Sequence, residues 1–228
     1  MSEKIYVHRY RMHSRQGLNS RSHTTEHEGA LIRVEIDGVS GYGCLHPWVE
    51  LGDPNLEVLI KQLTKGVVSR QVRCALHCAQ IDRTARLKGV SLFDGISVPD
   101  SHATIVGGAD RAALAVEQGF DTVKMKMGRD IEADIKLVRE VYAAFPELRL
   151  RFDFNGVLGE GQIVHFVNEL GATIHEQVDF LEDPSSPDED VWEELRDVYG
   201  MKTAVDRGVK KASNGELEFD YAVLKPAI

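Results

Sequence analysis

With 228 residues, 43% of them hydrophobic, the chain is long enough to bury a sizeable core and has the balance of a soluble globular protein. Its formal net charge of -9 argues against nucleic acid or an anionic membrane as a partner. No run approaches the roughly 20 apolar residues that span a bilayer, and the opening Met1-Ser2-Glu3-Lys4 has no apolar signal core, so a cytoplasmic protein is expected.

Residues 4–12 and 30–36 alternate apolar and polar side chains as antiparallel strands do, and Asp37-Gly38 supplies a turn into Gly41-Tyr42-Gly43-Cys44. Between the first two strands Glu26, His27 and Glu28, with His23 nearby, could be drawn as ligands, but clustered polar residues there read as a flexible loop. A helix from Asn55 to Lys65 stops at Gly66, and a second, from about Ser69 to Lys88, stops at Gly89. On that helix Cys74 and Cys78 lie one turn apart around His77, among Val72, Ala75, Leu76, Ala79 and Ile81, so core packing is expected over a metal cluster. With Cys44 the thiols number three and form no Cys-x-x-Cys, which fits reduced cysteines. Three strands followed by two helices describe an α+β unit over residues 1–100.

From Ala103 the pattern changes to strand and helix in alternation. Strands are expected at 103–106, 122–127, 148–153, 178–182, 202–206 and 221–225, with helices at 110–118, 130–145, 160–170 and 188–199 and an irregular link through Ser213-Asn214-Gly215. Such alternation builds a parallel sheet or barrel whose functional side chains gather at the C-terminal ends of the strands. A closed barrel of eight units takes about 250 residues, whereas residues 101–228 hold six strands. The fold class is therefore α/β, an α+β domain followed by a TIM-type (β/α) barrel that is incomplete as written. A truncated chain, or completion by another segment, is the expectation, since an open parallel edge invites pairing.

The last five of these strands close on charged residues: Lys124 and Lys126, then Asp153, Glu182, Asp206 and Lys225. Residues two apart on a strand share a face, so Lys124 and Lys126 stand on one side, as do Asp153 and Asn155. Taken singly, the lysines could be solvated, Asp153 to Gly156 a turn or helix cap, Glu182-Asp183-Pro184 the start of a loop and Asp206 a cap. Five in order at equivalent strand ends select a shared site instead. Three carboxylates converging there would repel and desolvate badly without a divalent cation, and oxygen ligands suit Mg²⁺ or Mn²⁺ over zinc. Elsewhere, Gly107-Gly108 is weak as a phosphate loop, and His165 and His175 read as a helix residue and a surface-loop residue.

The ordered set Lys124-Met125-Lys126, Asp153-Phe154-Asn155, Glu182-Asp183-Pro184, Asp206 and Lys225-Pro226-Ala227, with Gly41-Tyr42-Gly43 upstream, resembles the enolase superfamily. Within it the likeness is to the muconate-lactonizing-enzyme-like subgroup and most to the o-succinylbenzoate synthases. The resemblance implies an α+β capping domain over a TIM-type barrel, with Mg²⁺ (or Mn²⁺) held by Asp153, Glu182 and Asp206. It further implies that Lys126 abstracts the proton α to a substrate carboxylate, that Lys124 lowers the pKa of Lys126 and helps orient that carboxylate, and that Lys225 acts from the opposite side. Asn155 is expected at the substrate, and the loop carrying Leu18 to Arg21 and Glu26 to Glu28 would cover the site. The implied reaction is a syn dehydration of a cyclohexadiene carboxylate in menaquinone biosynthesis, the implied partner a small carboxylate, and a homo-oligomer is left open. A dipeptide epimerase or N-acylamino acid racemase uses the same residues, although Pro226-Ala227 leans toward the synthase; a silent, ligand-binding chain is the third alternative. Two positions depart from the pattern: Arg207 stands where glutamate usually follows the fifth-strand aspartate, and Cys44 where glutamate often follows the capping Gly-x-Gly.

Overall fold

The alternation in the first 45 residues builds an antiparallel sheet of β1 (Glu3–His13), β2 (Glu26–Ile36) and β3 (Val39–Leu45), in the order β1-β2-β3. The structure, a computed structural model, describes residues 3–14, 25–97, 100–207, 209, 213–215 and 217–223. Ala30, Ile32 and Val34 on one face of β2 form a core with Leu56, Leu59 and Leu63 of α1 (Leu56–Thr64) and Val72, Ala75 and Ala79 of α2 (Arg70–Lys88). Helix α1 starts at Asn55 because its side chain accepts the Val58 N–H at 3.0 Å.

Two expectations for this unit are corrected. Glu26, His27 and Glu28 belong to β2 rather than to a loop. Their alternation divides them: Glu26 and Glu28 meet Arg11 at 3.2 and 2.7 Å, while His27 turns inward, 6% exposed, with its ring 5.2 Å from that of Trp48. Nor is Cys78 a core residue. The buried stripe of α2 runs through Val72, Ala75 and Ala79, which leaves Cys74 at its border and Cys78 exposed.

Gly41 and Gly43 have a packing reason. A methyl group on Gly43 would be driven into the Ala75 carbonyl oxygen, and one on Gly41 into that of Ala79, so β3 lies backbone to backbone on α2. Gly43→Ala is therefore expected to cost about 1–3 kcal/mol of unfolding free energy by urea denaturation. A loss under about 0.5 kcal/mol would show that α2 has room to retreat.

The chain divides into two compact units, the first reaching Val98 and the second running from Pro99 to Pro226. In the second, β4 (Ala103–Ile105), β5 (Thr122–Lys126), β6 (Arg149–Asp153), β7 (Val178–Glu182), β8 (Thr203–Val205) and β9 (Tyr221–Ala222) form one parallel sheet in sequence order. Helices α3 (Ala109–Glu117), α4 (Ile131–Ala144), α5 (Glu160–His175) and α6 (Glu189–Asp197) connect the first five strands. This is the βα alternation of a TIM-type barrel, with six strands among the described residues against eight in a closed one.

Val123, Met125, Leu150, Phe152 and Leu181 are all buried within the second core cluster. Phe166 of α5 stacks edge-on against Phe152 and Phe154, with centroids 5.5 and 5.1 Å away. Gly171 leaves helical geometry (φ 72°, ψ 162°), as its place after the apolar run suggests, but the chain resumes helical turns to His175. His175, expected in a surface loop, is thus in a helix and donates from Nε2 to the Val167 carbonyl at 2.8 Å. His165 lies in α5 as expected and pairs with Glu132 at 2.8 Å.

Candidate active site

Parallel register decides which side chains share a face, because paired residues on neighbouring strands point the same way. Lys124 pairs with Arg151, Lys126 with Asp153, and Asp153 with Glu182. Lys124, Lys126, Asp153 and Glu182 therefore stand together, opposite Val123, Met125, Phe152 and Leu181. The backbone just after Lys126 is fixed twice: Met127 N–H donates to the Asp153 carbonyl at 2.9 Å and Gly128 N–H to Asp134 at 2.6 Å. Lys126 itself ends β5 and is exposed.

Lys124 lies deeper and bridges the two acids. Its ammonium is 2.6 Å from Glu182 Oε2 and 3.1 Å from Asp153 Oδ2, both carboxylates being almost fully buried. Burial, the largest single influence on Lys124, favours its neutral form, but the bonds to Glu182 and Asp153 outweigh it and raise its pKa above the ordinary lysine value. Glu182 is also raised, first by burial and then by the Asp153 and Asp206 charges, which the single ammonium does not offset. The two partners thus respond differently to one contact. Burial opposes both charges: at Lys124 two acids overcome it, whereas at Glu182 one cation does not overcome burial and two further acids.

The strand ends beyond these residues turn through left-handed backbone at Asn155 (φ 55°) and Asp183 (φ 42°). Asn155 donates to Asp153 Oδ1 from its backbone N–H at 3.1 Å and from Nδ2 at 2.9 Å. Asp183, 2% exposed, accepts the backbone N–H groups of Asp206 and Arg207 at 3.0 and 3.1 Å. Burial first, then the Asp206 and Asp153 charges, push its carboxyl up, while those N–H bonds oppose the shift. Asp206 is half-buried just after β8, and its charge reaches Glu182.

Below this layer, Asp179 is the unpaired residue where the β6–β7 register shifts, and it holds Arg151 at 2.6 Å and Arg149 at 3.2 Å. Arg151, a donor only, gives its Nη1 hydrogen to His102 Nδ1 at 2.9 Å, which fixes the imidazole as neutral and protonated on Nε2. Neither Asp179 nor His102 was signalled by the sequence, because their roles depend on cross-strand pairing. Lys225, Pro226, Ala227, His23 and the stretch from Leu18 to Arg21 lie outside the described residues.

The O-succinylbenzoate synthase N-terminal domain family matches residues 5–85, and the enolase C-terminal domain-like family matches residues 108–214. An o-succinylbenzoate synthase of Bdellovibrio bacteriovorus is 31% identical over 232 residues, which cover 98% of this chain and 69% of that protein. The chain belongs to the enolase superfamily. Within the superfamily it is most like the o-succinylbenzoate synthases, of the muconate-lactonizing-enzyme-like subgroup. An L-Ala-D/L-amino acid epimerase of Populus trichocarpa is 28% identical over 80% of this chain and 53% of its own length. The o-succinylbenzoate synthase of Thermosynechococcus elongatus, solved with Mg in its active site, superposes with a TM-score of 0.70 at 17% identity, covering all of this chain and 77% of that one. Among the described residues no helix is long and apolar enough to cross a membrane.

A superfamily member's acids can be tested for their fit to a divalent cation. Among the described residues no three Asp, Glu, His or Cys side chains already close around one point, since the Lys124 ammonium stands between Asp153 and Glu182. The donor chemistry nevertheless fits. Asp153 and Glu182 share one ammonium, the Asp206 charge also bears on Glu182, and all three acids offer hard oxygens of the kind Mg²⁺ takes. Such a cation would relieve the excess negative charge that Lys124 balances only in part.

Proposed function

We propose that this chain is a metal-dependent o-succinylbenzoate synthase, which dehydrates a cyclohexadiene carboxylate in menaquinone biosynthesis. The observation that carries the chemistry is the register: Lys126 stands beside Asp153 on the face that also holds Lys124 and Glu182. The 31% identical synthase favours dehydration among the superfamily's reactions.

Asp153, Glu182 and Asp206 would hold Mg²⁺, or Mn²⁺ in its place. When bound, the ion supplies positive charge against the negative charge that grows on the substrate carboxylate as the α-proton leaves. Lys126, as the free amine at the exposed end of β5, takes that proton from carbon. As an ammonium it returns the proton to the hydroxyl on the same side, the carbon–oxygen bond breaks and water departs. Lys124, held charged between Asp153 and Glu182, aligns the two carboxylates. Asn155, bonded to Asp153, would stand beside the substrate at the same acids.

Epimerisation is the second reading, supported by the Populus relative. Taking a proton α to a carboxylate is common to both, so only the substrate separates them. Incubating the chain and Mg²⁺ with the cyclohexadiene carboxylate beside a panel of dipeptides and N-acylamino acids is expected to give turnover of the first and little of the others. Efficient epimerisation of a dipeptide, with no aromatic product from the diene, would replace the synthase by the epimerase.

A further inference from the structure

Arg207 stands at the position where the superfamily pattern usually has glutamate, and its surroundings assign it work that a glutamate could not do. We infer that Arg207 is a positioning residue, which holds the Asp153 carboxylate in place from the end of a different strand through Asn155. The inference rests on the proposed metal site.

Each link is a hydrogen bond. Arg207 Nη2 donates to Asn155 Oδ1 at 2.7 Å, and Asn155 Nδ2 donates to Asp153 Oδ1 at 2.9 Å. A guanidinium can only donate and a carboxylate only accept, so the two partners leave the amide a single orientation. A carboxylate at position 207 would present an acceptor to Asn155 Oδ1 and favour the flipped amide, turning Nδ2 away from Asp153. The far end of the arginine is anchored as well. Its backbone N–H, with that of Asp206, is held by the buried Asp183 carboxylate at 3.1 and 3.0 Å. The Asp183 carbonyl in turn accepts the Gly156 N–H at 2.8 Å, and its N–H donates to the Ala204 carbonyl at 2.9 Å. The ends of β6, β7 and β8 are thereby closed into one ring, and the Arg207 side chain is the link that returns from β8 to β6.

Removing the arginine has two opposing consequences for a cation. Loss of a positive charge favours binding, but this term is small and screened at an exposed site. Loss of the ring frees Asn155 and Asp153 and weakens binding, by the order of the 10–100-fold that supporting residues of metal ligands carry. A double-mutant cycle separates them, because the charge term is present with or without Asn155.

The experiment is calorimetric titration with MgCl₂ of the parent chain, Arg207→Ala, Arg207→Lys, Asn155→Ala and the Arg207→Ala/Asn155→Ala double variant. Arg207→Ala is expected to weaken binding about tenfold with Asn155 present and not at all in the Asn155→Ala background, with Arg207→Lys recovering part of the loss. The same shift in both backgrounds would overturn the role of Arg207 while leaving the metal site intact. A parent chain that takes up no Mg²⁺ would overturn both this inference and the functional proposal beneath it.

Discussion

Lys126→Ala is expected to lower the rate of diene dehydration by about 10²–10⁴-fold, the range a positioned general base supplies, and to leave the affinity for Mg²⁺ unchanged. Lys126 is exposed at the end of β5, so its truncation opens no cavity, and no ion pair of Lys126 is lost with it among the described residues. Steady-state kinetics beside a magnesium titration would check both halves. Activity like that of the parent would remove Lys126 as the base. Loss of magnesium binding as well would mean that the side chain supports the acids instead of reacting with substrate.

Glu182→Gln is expected to act with opposite signs on the metal-free and metal-bound chain. The folded-state pKa of Glu182 is raised above the reference of 4.5. An acid raised on folding is neutral in both states below its unfolded pKa, and its ionisation costs stability as pH rises through the window up to the folded value. At neutral pH without metal, the glutamine chain should therefore unfold at the same temperature as the parent or higher, with Lys124 still paired to Asp153. With Mg²⁺ the order reverses, because the variant loses a proposed ligand, and affinity should fall by more than the about 10–100-fold that a ligand's supporting neighbour costs. Thermal melts with and without MgCl₂ would test the crossover; a glutamine variant that Mg²⁺ stabilises as much as the parent would remove Glu182 from the site.

The strands of the second unit were legible because each is a short apolar run bounded by glycine, proline or charge, and all six lie within a few residues of their expected bounds. Alternation along a strand also made it legible that Lys124, Lys126, Asp153 and Glu182 would share a face, as the register has them. What the sequence hid depends on partners far away in the chain. Glu26-His27-Glu28 looked like a polar loop, because nothing local says that Trp48 will cover the histidine or that Arg11 will meet both acids. Asn155-Gly156 and Asp183-Pro184 were readable as turns, and both strand ends do turn there. That Arg207 would join them through the Asn155 amide was not readable, since that contact spans 52 residues. Lys124 was expected to act on Lys126 by its charge. The structure engages that charge with Glu182 and Asp153.

The most direct test of a lysine base working beside a metal-bound carboxylate is exchange of the substrate's α-hydrogen with solvent, read together with product formation. The chain would be incubated in D₂O with the cyclohexadiene carboxylate, with MgCl₂ or with EDTA, and followed by NMR. Loss of the α-hydrogen and appearance of the aromatic product in the parent with Mg²⁺, both absent with EDTA and in Lys126→Ala, is the expected result. Proton loss and product formation that persist in Lys126→Ala, or proceed equally well with EDTA, would contradict it.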